Sequence, residues 1–229
     1  RNINSIKQTK NLTDNIKKIF KDKNYPIMID EEGGKVSRLT KIIDTSLFSQ
    51  KLFGEMYIKD NKRFNLYFVT YVKQLSYVLT LLGININTVP VLDVIRKFSS
   101  KVLKDRCYSS NPKIISKLGN LCIETFNKYG IATVIKHIPG HGPSRKDSHF
   151  EVPIVNDKIS KLRKIDFLPF RKKKSYLAMT AHVVYTSIDK FNTATHSKKV
   201  IKLIDFIEDL DDVQEVYSNV EFPENFFEE

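Results

Sequence analysis

Two cysteines, Cys107 and Cys122, in 229 residues are too few for a disulfide-framed secreted scaffold. A reducing compartment, the cytoplasm, fits them better. No apolar stretch reaches the roughly 18–20 residues that a membrane-spanning helix needs, so no membrane partner is expected. Nothing at Arg1 reads as an initiator Met or a signal peptide, and the chain is expected to begin partway into something. Acidic charge is scarce over most of the chain and then abrupt. From Asp205 to Glu229 there are 10 acidic residues and no Lys or Arg, whereas the first 204 residues carry 38 cations against 16 acids, a net of +22. Such a body could attract a polyanion. The lysines are dispersed, however, and no stacking-aromatic motif accompanies them, so a solvated Lys-rich surface is the preferred reading and nucleic acid is not the expected partner. With 41% hydrophobic and 28% charged residues, the chain fits a folded globular class with a sizeable core.

Four short apolar runs read as buried strands: 25–30, 84–93, 132–137 and 176–182. Helix-period segments lie between them. Leu12, Ile16, Ile19 and Phe20 form one apolar stripe, with Thr13 a candidate cap. Residues 46–82 hold two helices with Gly83 as a stop, and Asn111–Pro112 opens a helix that Gly130 closes. A further helix fits 157–171. This alternation predicts an α/β chain with a parallel sheet. Each strand also ends on a polar or ionisable residue: Asp30, Asp93, Lys136–His137 and His182. In a (β/α) barrel the site lies at those C-terminal strand ends, and four such endings favour a site over the ordinary onset of polar loops.

The segment KHIPGHGPSRKDSH, Lys136–His149, packs three histidines (His137, His141, His149), Asp147, two glycines and two prolines into one stretch after a strand. That density of Gly and Pro argues for a loop with special backbone angles. Asp147 and His149 are two apart, so an extended backbone points both to one side. A carboxylate beside an imidazole fixes its tautomer and favours its protonated form, as a general acid/base requires. A metal held by the three histidines is the weaker alternative, because His-x3-His suits a metal on a helix and Pro139–Gly140 interrupts one; no metal and no organic cofactor are expected. A purely structural loop is the other alternative. Residues 29–38 (IDEEGGKVSR) place three acids at a strand end before Gly33–Gly34, which reads as a clamp on sugar hydroxyls.

The stretches IDEEGGKVSRL, GININTVPVLDV, DRCYSSNP, KHIPGHGPSRKDSH and MTAHVVYTSIDKFNTATHSKKVI, in this order, resemble glycoside hydrolase family 3, and closely its bacterial β-N-acetylglucosaminidases of peptidoglycan recycling. The resemblance runs from about residue 1 to 201. It implies a (β/α)8 TIM barrel and a retaining hydrolysis of terminal β-linked N-acetylglucosamine from peptidoglycan fragments, with no cofactor. Carried over by position, His149 would be the acid/base and Asp147 its partner. Asp30, Arg38, Arg106, Lys136 and His137 would hold the sugar ring, with His182 close by. The family pattern has two strand segments before the point that matches Arg1. After Ala194–Ser197 it continues into a strand bearing the nucleophilic Asp, which this sequence does not show. The expectation is therefore a partial barrel, strands 3 to 6, over 1–200, with the nucleophile unknown and activity impaired. Open strand edges would then favour self-association. Residues after about 200, with LIDFIEDLDDVQEVYSN, resemble instead the C-terminal end of the YebC regulator family and read as an unrelated acidic α/β tail, 201–229. Asp211–Asp212 there sits at a helix end, given the spacing of Leu203, Phe206, Ile207 and Leu210, and is a poor surrogate nucleophile. Asp93 and Asp189 are no better placed. The alternative to a glycosidase is an inactive fragment with residual sugar or polyanion binding.

Overall fold

The computed structural model describes residues 3–146, 151–200 and 202. The acidic tail beyond residue 202, with Asp211–Asp212, lies outside the described residues, as do Asp147 and His149. Eleven α-helices and β-strands are described, in chain order α1 (Ile6–Ile19), β1 (Met28–Ile29), α2 (Gln50–Lys59), α3 (Asn61–Leu81), β2 (Ile86–Asn87), α4 (Pro112–Lys128), β3 (Ala132–Ile138), β4 (Ile154–Val155), α5 (Ile159–Lys164), β5 (Leu177–Thr180) and β6 (Val184–Tyr185). No helix among the described residues is long and apolar enough to cross a membrane.

The starts of α1 to α4 each have a local cause, whereas α5 has no side-chain cap. Ser49, Asp60 and Asn111 accept backbone N–H bonds from Leu52, Arg63 and Lys113, capping α2, α3 and α4, and Pro112 sits where a missing N–H costs nothing. In α1 the cap is Ser5, which accepts from Gln8 N, and not Thr13. Thr13 is buried, its hydroxyl donating to Leu82 O at 2.7 Å, so with Thr9 it forms the inward face. The expected apolar stripe points the other way: Leu12, Ile19 and Phe20 are exposed, Phe20 stacking on Tyr25. The helix expected over 157–171 ends at Lys164 and gives way to a 3₁₀ turn at Leu168–Phe170. Pro169 supplies the reason, since its ring would clash with the carbonyl of Ile165 in a continued helix.

Strands β1, β2, β3 and β5 form one parallel sheet in that spatial order, with Met28 opposite Ile86, Ile86 opposite Ala132 and Val134 opposite Leu177. These are the four expected strands, though the paired ladder is shorter than the apolar runs. Four parallel strands with helices between them make a partial (β/α) barrel. A second parallel pair, β4 with β6, joins Ile154 to Val184 and Val155 to Tyr185; it had no counterpart in the sequence reading. The core lies between sheet and helices. Ile29, Val89, Leu92 and Ile135 meet Phe53, Phe64, Phe68, Leu75 and Leu79 from α2 and α3, and Leu118, Ile123 and Phe126 from α4. Phe53 packs edge-on to Phe64 and Phe68, and each such buried side chain contributes about 1.5–3 kcal/mol. That packing holds the C-terminal strand ends side by side.

Candidate active site

Beyond those strand ends opens a cavity of about 380 Å³, lined among others by Asp30, Arg106, Lys136, His137, His141 and His182. The volume suits a single sugar ring. Lys136, on the inward side of β3, is only 1% exposed. Its Nζ donates to Asp30 Oδ1 at 2.6 Å and Thr88 Oγ1 at 3.0 Å, and lies 2.6 Å from Glu32 Oε1. Three partners offset the cost of burying the cation. Burial works against ionisation of Asp30, but the charge and hydrogen bond of Lys136, with Thr88 and Arg38, outweigh it and hold the carboxyl below its usual range. Asp30 is therefore a charged acceptor at neutral pH, 37% exposed and able to face a ligand.

The three consecutive acids do not form the clamp expected of them. Only Asp30 lines the cavity. Glu31 is fully buried and accepts from Ser37, Thr45 and the backbone N–H groups of Arg38 and Leu39, folding residues 31–45 onto the strand end. Glu32 points back to Arg106, which grips it with two bonds of 2.8 Å. Alternation of side chains along an extended backbone sends neighbours to opposite sides. Gly33 allows the turn that follows, with φ +78° and no room for a Cβ, which would lie 2.3 Å from Phe48 O. Arg38 reaches Asp30 Oδ2 at 3.0 Å from the exposed side and does not line the cavity.

His137 ends β3 and is held from behind. Its Nδ1 lies 2.7 Å from Asp93 Oδ2, and Asp93 Oδ1 accepts from His141 N at 2.6 Å. Because the carboxylate accepts, Nδ1 carries the proton and Nε2 faces the cavity, 3.4 Å from Arg106 Nη2. Burial opposes ionisation of Asp93, yet the charges and hydrogen bonds of His137 and His141 keep its carboxyl low. Burial pushes His141 down, so it stays neutral. On the far wall His182 Nδ1 sits 2.8 Å from Thr195 Oγ1. Asp93, Glu32, Thr88 and His141 thus support the site; the sequence reading had marked Asp93 only as a strand end, Glu32 only within the clamp and His141 only as an alternative metal ligand, and had not singled out Thr88. The signal for Asp93 was present, since its run ends on an acid level with Lys136–His137. Asp189 lies elsewhere, bonded to Ser197, Asn192 and the backbone of Phe191. Among the described residues no three His, Cys, Asp or Glu side chains meet as a metal-ligand set.

A pocket at the ends of parallel strands, built from Asp, Arg, Lys and His, can be set against known proteins. The glycosyl hydrolase family 3 N-terminal domain matches residues 1–204. The chain belongs to that family. Among curated relatives of the family 3 domain, beta-hexosaminidase A of Pseudoalteromonas piscicida is 33% identical over 167 residues, 71% of this chain and 27% of that protein. The beta-hexosaminidase of Nitrosospira multiformis is 31% identical over 196 residues, 82% of this chain and 54% of that protein. Native NagZ from Neisseria gonorrhoeae superposes with a TM-score of 0.80 at 27% identity, covering 96% of this chain and 63% of that one. The same protein in complex with N-trifluoroacetyl-D-glucosamine gives 0.76 at 27% identity, over 96% of this chain and 64% of that one. This family 3 chain spans about half, or less, of the length of these two curated relatives.

Proposed function

We propose that this family 3 chain takes a terminal β-linked N-acetylglucosamine and hydrolyses its glycosidic bond with retention, the saccharide being a peptidoglycan fragment. The observation that carries the reading is the convergence of Asp30, Arg106, Lys136, His137 and His182 on one sugar-sized cavity. Ionised Asp30, held by Lys136, accepts from ring hydroxyls, Arg106 donates, and His137 Nε2 offers a further polar contact. Arg38 fixes the Asp30 carboxylate from outside. His149 acts as acid/base and Asp147 orients it, the roles implied by their place in the family motif; both lie outside the described residues. The ligand in the N. gonorrhoeae NagZ complex, an N-acylated glucosamine, supports the choice of sugar.

A second reading, sugar binding without turnover, is favoured by the state of the cavity's acids. Asp30 is engaged by Lys136, Thr88 and Arg38, and Asp93 by His137 and His141. Neither is placed as a free nucleophile. Calorimetric titration tests what both readings share. N-acetylglucosamine should bind in preference to glucose, and the exposed His182 changed to Ala should weaken it about three- to tenfold, the worth of one hydrogen bond. Equal affinity for glucose and N-acetylglucosamine would reject the proposed sugar.

A further inference from the structure

Helix α2 buries Phe53, Gly54 and one polar side chain, Gln50 in its first turn, which is 4% exposed. A buried carboxamide is costly unless its donors and its acceptor are met, and here they are. Its Oε1 accepts from Val91 N at 3.1 Å, while its Nε2 donates to Val91 O at 3.4 Å and to Arg106 O. Both backbone points stand directly behind residues of the sugar cavity. Val91 is bridged to Lys136, with Leu92 N donating to Lys136 O at 2.7 Å and Lys136 N to Pro90 O at 3.2 Å. It is therefore tied to the strand end that carries Lys136 and His137. Arg106 stands on the loop 101–108, which also meets α2 through Lys51 N donating to Asp105 O at 3.4 Å. Tyr108 O comes so close to Gly54 that a Cβ there would not fit. From this loop the Arg106 guanidinium crosses to Glu32 and lies 3.4 Å from His137 Nε2. Glu32 fixes the head of that side chain, and Gln50 fixes its base.

We propose that Gln50 is a positioning residue for sugar binding: its carboxamide sets the separation between the Arg106 backbone and the Lys136–His137 strand end, and so where the guanidinium meets the ligand. The inference rests on the reading of the cavity as the N-acetylglucosamine site, and it adds a residue that lies outside that cavity's lining. Filling the space needs no amide, because a Met of similar length would occupy it with no polar group to satisfy. What the amide adds is a bond to each of two backbone segments at once.

The test compares the full wild-type chain with its Gln50→Met variant by two readouts. In ligand-observed NMR titration the variant should bind N-acetylglucosamine about three- to tenfold more weakly, the worth of one hydrogen bond. In hydrogen exchange followed by NMR, the Arg106 Nε–H should exchange at least about fivefold faster in the variant. The backbone amide of Leu118, in the core-facing side of α4, should stay within about twofold, so that the opening is local and not global. Should the Met variant not fold, Gln50→Asn, one methylene too short to span both segments, takes the same readouts with the same expectation. A variant that binds the sugar like the wild type overturns the role. So does one that binds weakly while Arg106 exchanges as before. If the wild type fails to bind N-acetylglucosamine while Arg106 exchange still quickens in the variant, the sugar reading falls and the placement of Arg106 by Gln50 stands.

Discussion

Lys136 is nearly inaccessible to water, and Asp30, Glu32 and Thr88 surround its Nζ. Replacing it with Met should cost about 3–5 kcal/mol in urea unfolding, because the buried Glu32 then loses one of its two cations. A cost under about 1 kcal/mol would show the pair to be solvent-screened instead. The burial of His141 gives a pH dependence of definite sign. His141 is held below its unfolded value of about 6.5, so its contribution is present above that pH and is lost as pH falls through its lower folded value. Asp93, also depressed, behaves likewise below about 3.9. His141→Asn should therefore lose less stability than the wild type between pH 7.5 and 5, as read by chemical denaturation at about those two pH values. Asp30, Lys136 and His137 were legible in the sequence because a charged residue closing an apolar run has few structural excuses. The division of labour among Asp30, Glu31 and Glu32 was not, since three neighbouring acids carry no local sign of which one faces inward.

Elements were legible where punctuation and periodicity agreed. The helix α4 opens at Asn111–Pro112 and stops before Gly130, as the sequence reads. The first helix was misread because hydrophobicity and burial part company there, with threonines inward and leucine and phenylalanine outward. Two-residue strands such as β4 and β6 leave no periodic trace at all. The contact between residues 94–100 and 142–144 yields its own prediction. A Cβ on Gly142 would lie 2.0 Å from Val94 O, so Gly142→Ala must push the 142–144 segment off residues 94–99. It should cost about 1–3 kcal/mol in thermal unfolding and weaken sugar binding as well. The short α5 is tied to the same contact through Asp166 and Arg96. Burial drives the Asp166 carboxyl up to about 7 despite the guanidinium against it, and its Oδ1 has no hydrogen-bond partner among the described residues. Its contribution is full below about 3.9 and is lost as pH rises through about 7, the opposite sense to His141. Asp166→Asn should therefore hold its stability better than the wild type between about pH 5 and 7.5.

For the whole molecule, the α/β class and the parallel order of four strands followed from apolar runs separated by helices. The partial barrel that results is what brings Asp30, Lys136, His137 and His182, scattered over more than half the chain, to one cavity. Spatial order was implied by the resemblance to a barrel, in which consecutive parallel strands are neighbours. The tie from Gln50 to Arg106 was not legible, because it joins residues 56 apart by a contact no local pattern encodes. Hydrolysis is the property on which the account stands or falls. The direct measurement is release of the fluorophore from a fluorogenic aryl β-N-acetylglucosaminide by the purified chain beside its His149→Ala variant. The account predicts turnover by the wild type that falls by about 10²–10⁴-fold in the variant, the usual worth of a general acid/base. A folded wild-type chain that binds N-acetylglucosamine but releases no fluorophore, or turnover indifferent to His149, would contradict it.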